Sequence, residues 1–234
     1  MLTPADQPEI ADYTANLKAG DDLMAVGNDP AWSLVVNPSK GTLRFKSMTG
    51  DSLNAVSPER QPDSDGSFRL DIVVGSERFN ALFTPDSCVN KLSRQRFDYR
   101  VEVNFRNKTY VGCGVSLRQV ALLQDIWVLT DLQGQPITTS GQNTDVPRLE
   151  ISLTEGRVTG TTGCNRLSGT VQADSRLIRF GPLITTRMAC ADPVNTTEAN
   201  FLNLLSQPLA YRVGDGKLIF RQKGKSVAVF KKVD

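Results

Sequence analysis

Cys88, Cys113, Cys164 and Cys190 are the residues whose type most invites chemistry in this chain of 234 residues, which contains no histidine. A cysteine sulfur can attack an electrophile, hold a soft metal or join a second sulfur, and each role needs different company. A nucleophilic thiol needs a base, a cation or a helix N-terminus; without histidine the Ser-His-Asp, Cys-His and His-zinc arrangements are all excluded. No C-x-x-C knuckle is present, so a zinc site would have to gather four isolated cysteines. The separation of Cys88 from Cys113 nearly equals that of Cys164 from Cys190, which suggests two local pairs, one in each half. An even count at such spacing favours disulfides and an oxidising compartment, against four unrelated buried thiols in a cytosolic protein.

The stretch TTGCNRLSGT, 161–170, sets Cys164 between glycines and beside Asn165 and Arg166. It resembles a phosphate loop only on the surface, because the Gly-Lys-Ser/Thr ending is missing and strands follow. Gly163 and Gly169 suit turns or bulges, and Asn165 suits a turn that caps backbone groups. Arg166 and Arg187 would form a small anion site if their two motifs meet; exposed arginines, or arginines paired with Glu150 or Asp192, are the alternative. RQRFDYR, 94–100, alternates charges with Phe97 and Tyr99, which gives a solvated strand face and no nucleic-acid stripe. Asp71, Asp98, Asp125 and Asp131 cannot be paired into a glycosidase-like couple from sequence. Trp32 and Trp127 are expected in the core. No catalytic, cofactor or metal residue is assigned.

These groups must be positioned by strands. Apolar residues recur with a period of two from residue 31, in AWSLVVN, TLRFKSM, FRLDIVV, RFNALFT, YRVEVNF and TYVGCGVSL, separated by turn-forming stretches such as DSDG. Short connections imply antiparallel hairpins. A second series follows in DIWVLTDL, RLEISLT, RVTGTT, SGTVQA, RLIRFGPL, AYRV, KLIFRQ and SVAVFKK. One segment departs from it: NTTEANFLNLLSQP, 195–208, carries Phe201, Leu202 and Leu205 at helical spacing. Asn195 is its expected N-cap, with Glu198 completing a capping box and Pro208 just beyond the end. The expected organisation is a flexible lead-in over 1–22, a β domain over 23–118, a linker over 119–124 and a second domain over 125–234. SLRQVALL, 116–123, reads equally as a strand end or a short helix.

Within the second half, Trp127, GCNRLSG (163–169), FGPLITTRMAC (180–190), the FLNLL helix and YRVGDGKLIF resemble the META domain, the HslJ-like family of bacterial envelope proteins. The resemblance implies a curved antiparallel sheet crossed by one helix, and secreted or lipid-anchored proteins linked to stress resistance. It carries over no catalytic residue. The first half is similar to a lipoprotein-type domain found ahead of META domains, through GNDPAW (27–32), Cys88 with Tyr99, Val101 and Val103, and YVGCG (110–114). VNKLSRQ, 89–95, stands where that domain has an acidic loop.

The expectation is therefore a mainly β, α+β protein of two antiparallel domains, each closed by its own disulfide, with no cofactor. Mixed charge, a net charge of +2 and the lack of any long apolar run fit a soluble, monomeric chain without a nucleic-acid partner. No signal peptide is recognisable at the N-terminus, so for an exported protein the signal, and any lipid anchor, would precede residue 1. The expected role is a non-enzymatic binding or structural module of the periplasm or outer membrane, with an unidentified envelope protein or ligand as partner. The alternative is an inhibitor or accessory protein of an envelope hydrolase, inserting the loop 57–66 or 134–147 into a cleft.

Overall fold

The structure is a computed structural model, which describes residues 10–137 and 145–233. The chain divides into two compact units: one is residues 16–118, and the other is residues 119–234 with the N-terminal residues up to Ala15. All strand pairings in both are antiparallel, as hairpin-length connections require.

Before the strands of the first unit comes a short helix, α1 (Thr14–Ala19). The unit's sheet is then built from β1 (Leu23–Asn28), β2 (Ala31–Asn37), β3 (Thr42–Ser47), β4 (Ser52–Val56), β5 (Gln61–Pro62), β6 (Phe68–Val74), β7 (Glu77–Val89), β8 (Arg96–Phe105) and β9 (Lys108–Ser116). Their order is β4-β3-β2-β1-β9-β8-β7-β6-β5, so the first and last long strands of the unit lie side by side. The sheet is strongly curled: Phe45 on β3 meets Phe79 on β7 with ring centroids 5.5 Å apart, although β2, β1, β9 and β8 separate them in the sheet. The core is the inward face of these strands, with Leu34, Leu43, Phe83, Val101 and Val103 fully buried. Three of these strands, β1, β4 and the two-residue β5, lie outside the series expected from periodicity. In β1 the residues Leu23, Met24, Ala25 and Val26 are apolar without interruption, so an inner strand between β2 and β9 shows no alternation.

In the second unit α2 (Arg118–Ala121) leads to β10 (Ile126–Leu132), β11 (Gln135–Pro136), β12 (Arg148–Ser152), β13 (Arg157–Thr161), β14 (Arg166–Ala173), β15 (Leu177–Phe180) and β16 (Ile184–Thr185). The helix α3 (Val194–Leu205) follows, then β17 (Leu209–Gly214), β18 (Lys217–Gln222) and β19 (Lys225–Lys232). The sheet runs β10-β12-β13-β14-β15-β17-β18-β19, and β19 pairs back onto β10, closing a barrel of eight strands. Short β16 adds to β14 outside that ring. The inward rows hold Trp127, Leu149, Val158, Leu218 and Phe230, all at most 1% exposed. Trp127 donates its indole N–H to the Leu123 carbonyl at 2.9 Å, so the segment expected as a linker is built into this unit.

The helix exists where its spacing places it, and it enters the core through Phe201, whose ring centroid lies 6.2 Å from that of Phe230. Its start differs from the expected capping box. The N-cap position is Pro193 with no side-chain cap, Asn195 Nδ2 donates back to the Cys190 carbonyl, and Glu198 is drawn elsewhere. Leu204 is buried together with Phe201 and Leu205, whereas Leu202 is half-buried. The lead-in also differs from an unstructured tether: Ile10 and Tyr13 are buried, and Gln172 of β14 donates to Asp12 at 3.4 Å.

Candidate functional site

Both cysteine pairs are disulfides: Cys88 with Cys113, and Cys164 with Cys190, with Cα separations of 5.5 and 6.1 Å. Cys88 sits on β7 and Cys113 on β9, with β8 between; a bulge between Pro85 and Cys88 bends β7 and lets the sulfurs meet. Around this bond lies a pocket bordered by Asp29, Asp86, Lys91 and Arg100. Glycine explains the motifs beside it. A Cβ on Gly112 would stand 2.1 Å from the Val26 carbonyl oxygen, and one on Gly27 would stand 2.0 Å from Trp32 Nε1. The Trp32 indole fills that space and donates to the Val111 carbonyl at 3.2 Å, a core role as expected.

The Cys164–Cys190 bond belongs to a larger joint. Thr162, fully buried, accepts from the backbone N–H of Asn165 at 2.8 Å and donates its hydroxyl to Glu198 at 2.8 Å. Asn165 Nδ2 donates to both Glu198 oxygens at 3.0 Å, while its Oδ1 accepts from Met188 N at 2.7 Å and from Thr186 Oγ1 at 2.9 Å. One asparagine thus ties the 162–166 turn, the 186–188 segment and α3 together. Gly163, at φ 90°, supplies the left-handed step that the turn requires.

Beside the joint a groove runs over the outer face of β12, β13 and β14, with Ile184, Thr186 and Met188 along one wall. Register orders its floor. Arg148 faces Thr161, which faces Arg166; in the next row Glu150 faces Thr159, which faces Ser168 and then Ile184. The floor thus carries two exposed arginines flanking a threonine, with further hydroxyls and the exposed Glu150, while Asp145 also lines the groove; Ile184 and Met188 are 73% and 60% exposed. The two motifs of the expected arginine couple do meet, since Arg166 N donates to Thr186 Oγ1 at 3.1 Å. Arg187 is exposed and sits between Thr186 and Met188, which line the groove; Arg148, two strands from Arg166, is a further arginine of the lining. The alternative pairings are absent: among the described residues neither Arg166 nor Arg187 has an ion-pair partner, Glu150 accepts from Thr159 and Asp192 from Thr196.

The remaining singled-out groups have structural duties. Asp125 pairs with Lys232 at 2.8 Å, Asp131 accepts from Gly134 N, and Asp71 accepts from Asn80. In RQRFDYR, Phe97 is buried and Arg96 and Arg100 are exposed. Of the loop 57–66, Arg60 is held by Asp22 at 2.7 Å and lies over the Phe68 ring, and Gln61 and Pro62 form β5. In the loop 134–147, residues 138–144 lie outside the described ones. The strongest electrostatic perturbation falls on a residue the sequence did not single out. Asp51, buried, accepts from Lys108 at 2.7 Å and from the Tyr110 hydroxyl at 2.5 Å, and these bonds hold its pKa down at about 2.

The C-terminal unit is thus a closed β-barrel domain with one helix in its core and a disulfide-braced joint beside a groove. Residues 120–234, which make up most of this unit, match the META domain family model. Among solved structures, the chain is similar to an NMR structure of a protein from Burkholderia xenovorans, at 25% identity over 50% of this chain and 88% of that one, with a TM-score of 0.40. A second NMR structure is similar at 22% identity over 47% of this chain and 89% of that one, with a TM-score of 0.39. No curated protein matches the sequence.

Proposed function

We propose that this protein is a non-enzymatic binding module of the bacterial cell envelope, serving stress tolerance, and that the groove beside Cys164–Cys190 is its ligand site. The observation that carries the proposal is the groove itself: a floor of exposed Arg148 and Arg166 flanking half-buried Thr161 on paired barrel strands, walled by exposed Ile184 and Met188. A binding surface on strands keeps its geometry without a ligand, which lowers the ordering cost of association. The groups with most chemical potential nearby are already engaged. Cys164 and Cys190 are bonded to each other, and the Glu198 carboxylate holds Asn165 and Thr162. Two disulfides are consistent with an extracytoplasmic location, and the periplasm or outer-membrane surface is the compartment proposed.

The test pairs two measurements on one sample. Protein isolated from cells under thiol-blocking conditions is mapped by non-reducing mass spectrometry, and the intact chain is compared with Arg166→Glu as bait in envelope extract. Linked 88–113 and 164–190 peptides, with a captured component lost in Arg166→Glu, are expected. Four free thiols overturn the compartment, and capture that ignores Arg166 overturns the groove.

A further inference from the structure

The two groove arginines are one end of a longer feature that only the barrel register reveals. Arg166 faces Thr161, Thr161 faces Arg148, Arg148 faces Val128, Val128 faces Lys231 and Lys231 faces Lys217. Six strands in succession thus contribute one outward residue each to a single cross-strand row. Outward direction is set by the neighbours in sequence: Leu167, Leu149, Phe230 and Leu218, beside the four cations, are at most 3% exposed, so the cations themselves point to solvent. The row contains no acid. Among the described residues none of the four has an ion-pair partner, whereas the neighbouring Lys232 is held by Asp125 and Arg157 by Glu155. Glu150, two residues along β12 from Arg148, is the acid flanking the row on that strand, and it accepts from Thr159.

We propose that this row binds a linear acidic polysaccharide, a flexible glycan chain carrying repeated carboxylates. This rests on the groove being a ligand site and extends that site around the barrel. Four features select the class. At about 4.8 Å between strands, Arg166 and Arg148 stand roughly 10 Å apart, Arg148 and Lys231 the same, and Lys231 and Lys217 about 5 Å, a ladder suited to a chain with recurring charge. From β14 to β18 the row passes five of the eight steps around the closed barrel. A flat anionic surface cannot touch both ends of such a path, and a flexible chain can follow it. Thr161 lies within the row and Thr159 and Ser168 beside it, offering hydroxyls to sugar hydroxyls. Among the described residues every Phe and Trp is buried and the row itself contains no aromatic residue, so the row presents no platform for stacking nucleobases.

The purified full chain is titrated against long-chain polygalacturonate and against trigalacturonate, with poly(dT) and phosphatidylglycerol vesicles as competing probes. The long chain is expected to bind, and Arg148→Gln, Arg166→Gln, Lys217→Gln and Lys231→Gln are each expected to weaken it about fivefold. Lys223→Gln, a charge loss in the β18–β19 turn, should leave binding unchanged. The trimer is too short to span the row, so substitutions at the two ends should not weaken it together. All these side chains are exposed, and the far-UV spectrum of each variant checks that the barrel is retained. Loss at Arg166 with none at Lys217 or Lys231 leaves the groove standing and overturns the row. No binding of polygalacturonate, tighter binding of poly(dT), or vesicle binding that depends on one end only overturns the assignment to an acidic glycan.

Discussion

Asn165 and Glu198, 33 residues apart in sequence, meet through a forked contact in which one amide nitrogen donates to both carboxylate oxygens at 3.0 Å. The contact locks α3 onto the turn that carries Cys164. Asn165→Ala leaves Met188 N without its acceptor and the Glu198 carboxylate with Thr162 alone, and should cost about 2 to 3 kcal/mol. Asn165→Asp should be at least as damaging, because two carboxylates would then face each other. Urea denaturation of both variants and of Glu198→Ala measures this, and the double variant Asn165→Ala/Glu198→Ala should cost clearly less than the sum of its parts.

The covalent brace of the same joint closes a loop of sequence separation 26. Replacing Cys164 and Cys190 by serine should lower stability by about 3 to 4 kcal/mol on the chain-entropy argument. Amide exchange should quicken first over 186–194, the segment that the disulfide ties to the 162–166 turn. Protection unchanged in that segment would contradict a bracing role.

Acid should act on the N-terminal unit through Asp51. Its pKa is lowered from 3.8 to about 2, first by the hydrogen bond from Lys108 and then by that from Tyr110. A carboxylate depressed in the folded state contributes stability that is fully present above its ordinary value and fades as pH falls through its folded value. The loss should therefore lie between about pH 4 and pH 2. Asp51→Asn should be less stable than the parent at neutral pH, and the gap should narrow across that window. A gap constant with pH would show that the ion pair is not the cause.

Close approach rather than turn geometry dictates Gly112. Alanine there would meet the Val26 carbonyl oxygen at 2.1 Å and Trp32 Cζ2 at 2.8 Å, so β1 and β9 would have to separate; a loss of about 3 kcal/mol is expected. Gly214→Ala is the control, since its Cβ would meet nothing within 4 Å, and it should change stability by less than about 0.5 kcal/mol. Thermal unfolding of the two variants beside the parent checks the contrast.

Much was legible without coordinates, and for local reasons. Period-two alternation placed β2, β6 and β18 residue for residue, because each has one face on a core and one toward solvent. The spacing of Phe201 and Leu205 announced α3, and cysteine separation announced both disulfides. Where local evidence ran out, the physical cause is identifiable. The capping box at Glu198 was locally sound, yet Asn165 and Thr162 offered that carboxylate better partners from distant sequence. The segment around Val120 looked like a linker, yet Val120 and Leu123 are fully buried.

Sequence by itself determined most of the strands, the helix, the likeness to the META family and the exclusion of histidine chemistry, since each depends on residue type and short-range spacing. Tertiary structure alone decided which side chains face one another. Arg166 was visible as a candidate, but Arg148 could be named its neighbour, and Lys231 and Lys217 their continuation, only after β19 closed onto β10. Register between strands far apart in the chain is set by the inward residues that must fill the barrel, and the outward residues are carried into line by that choice.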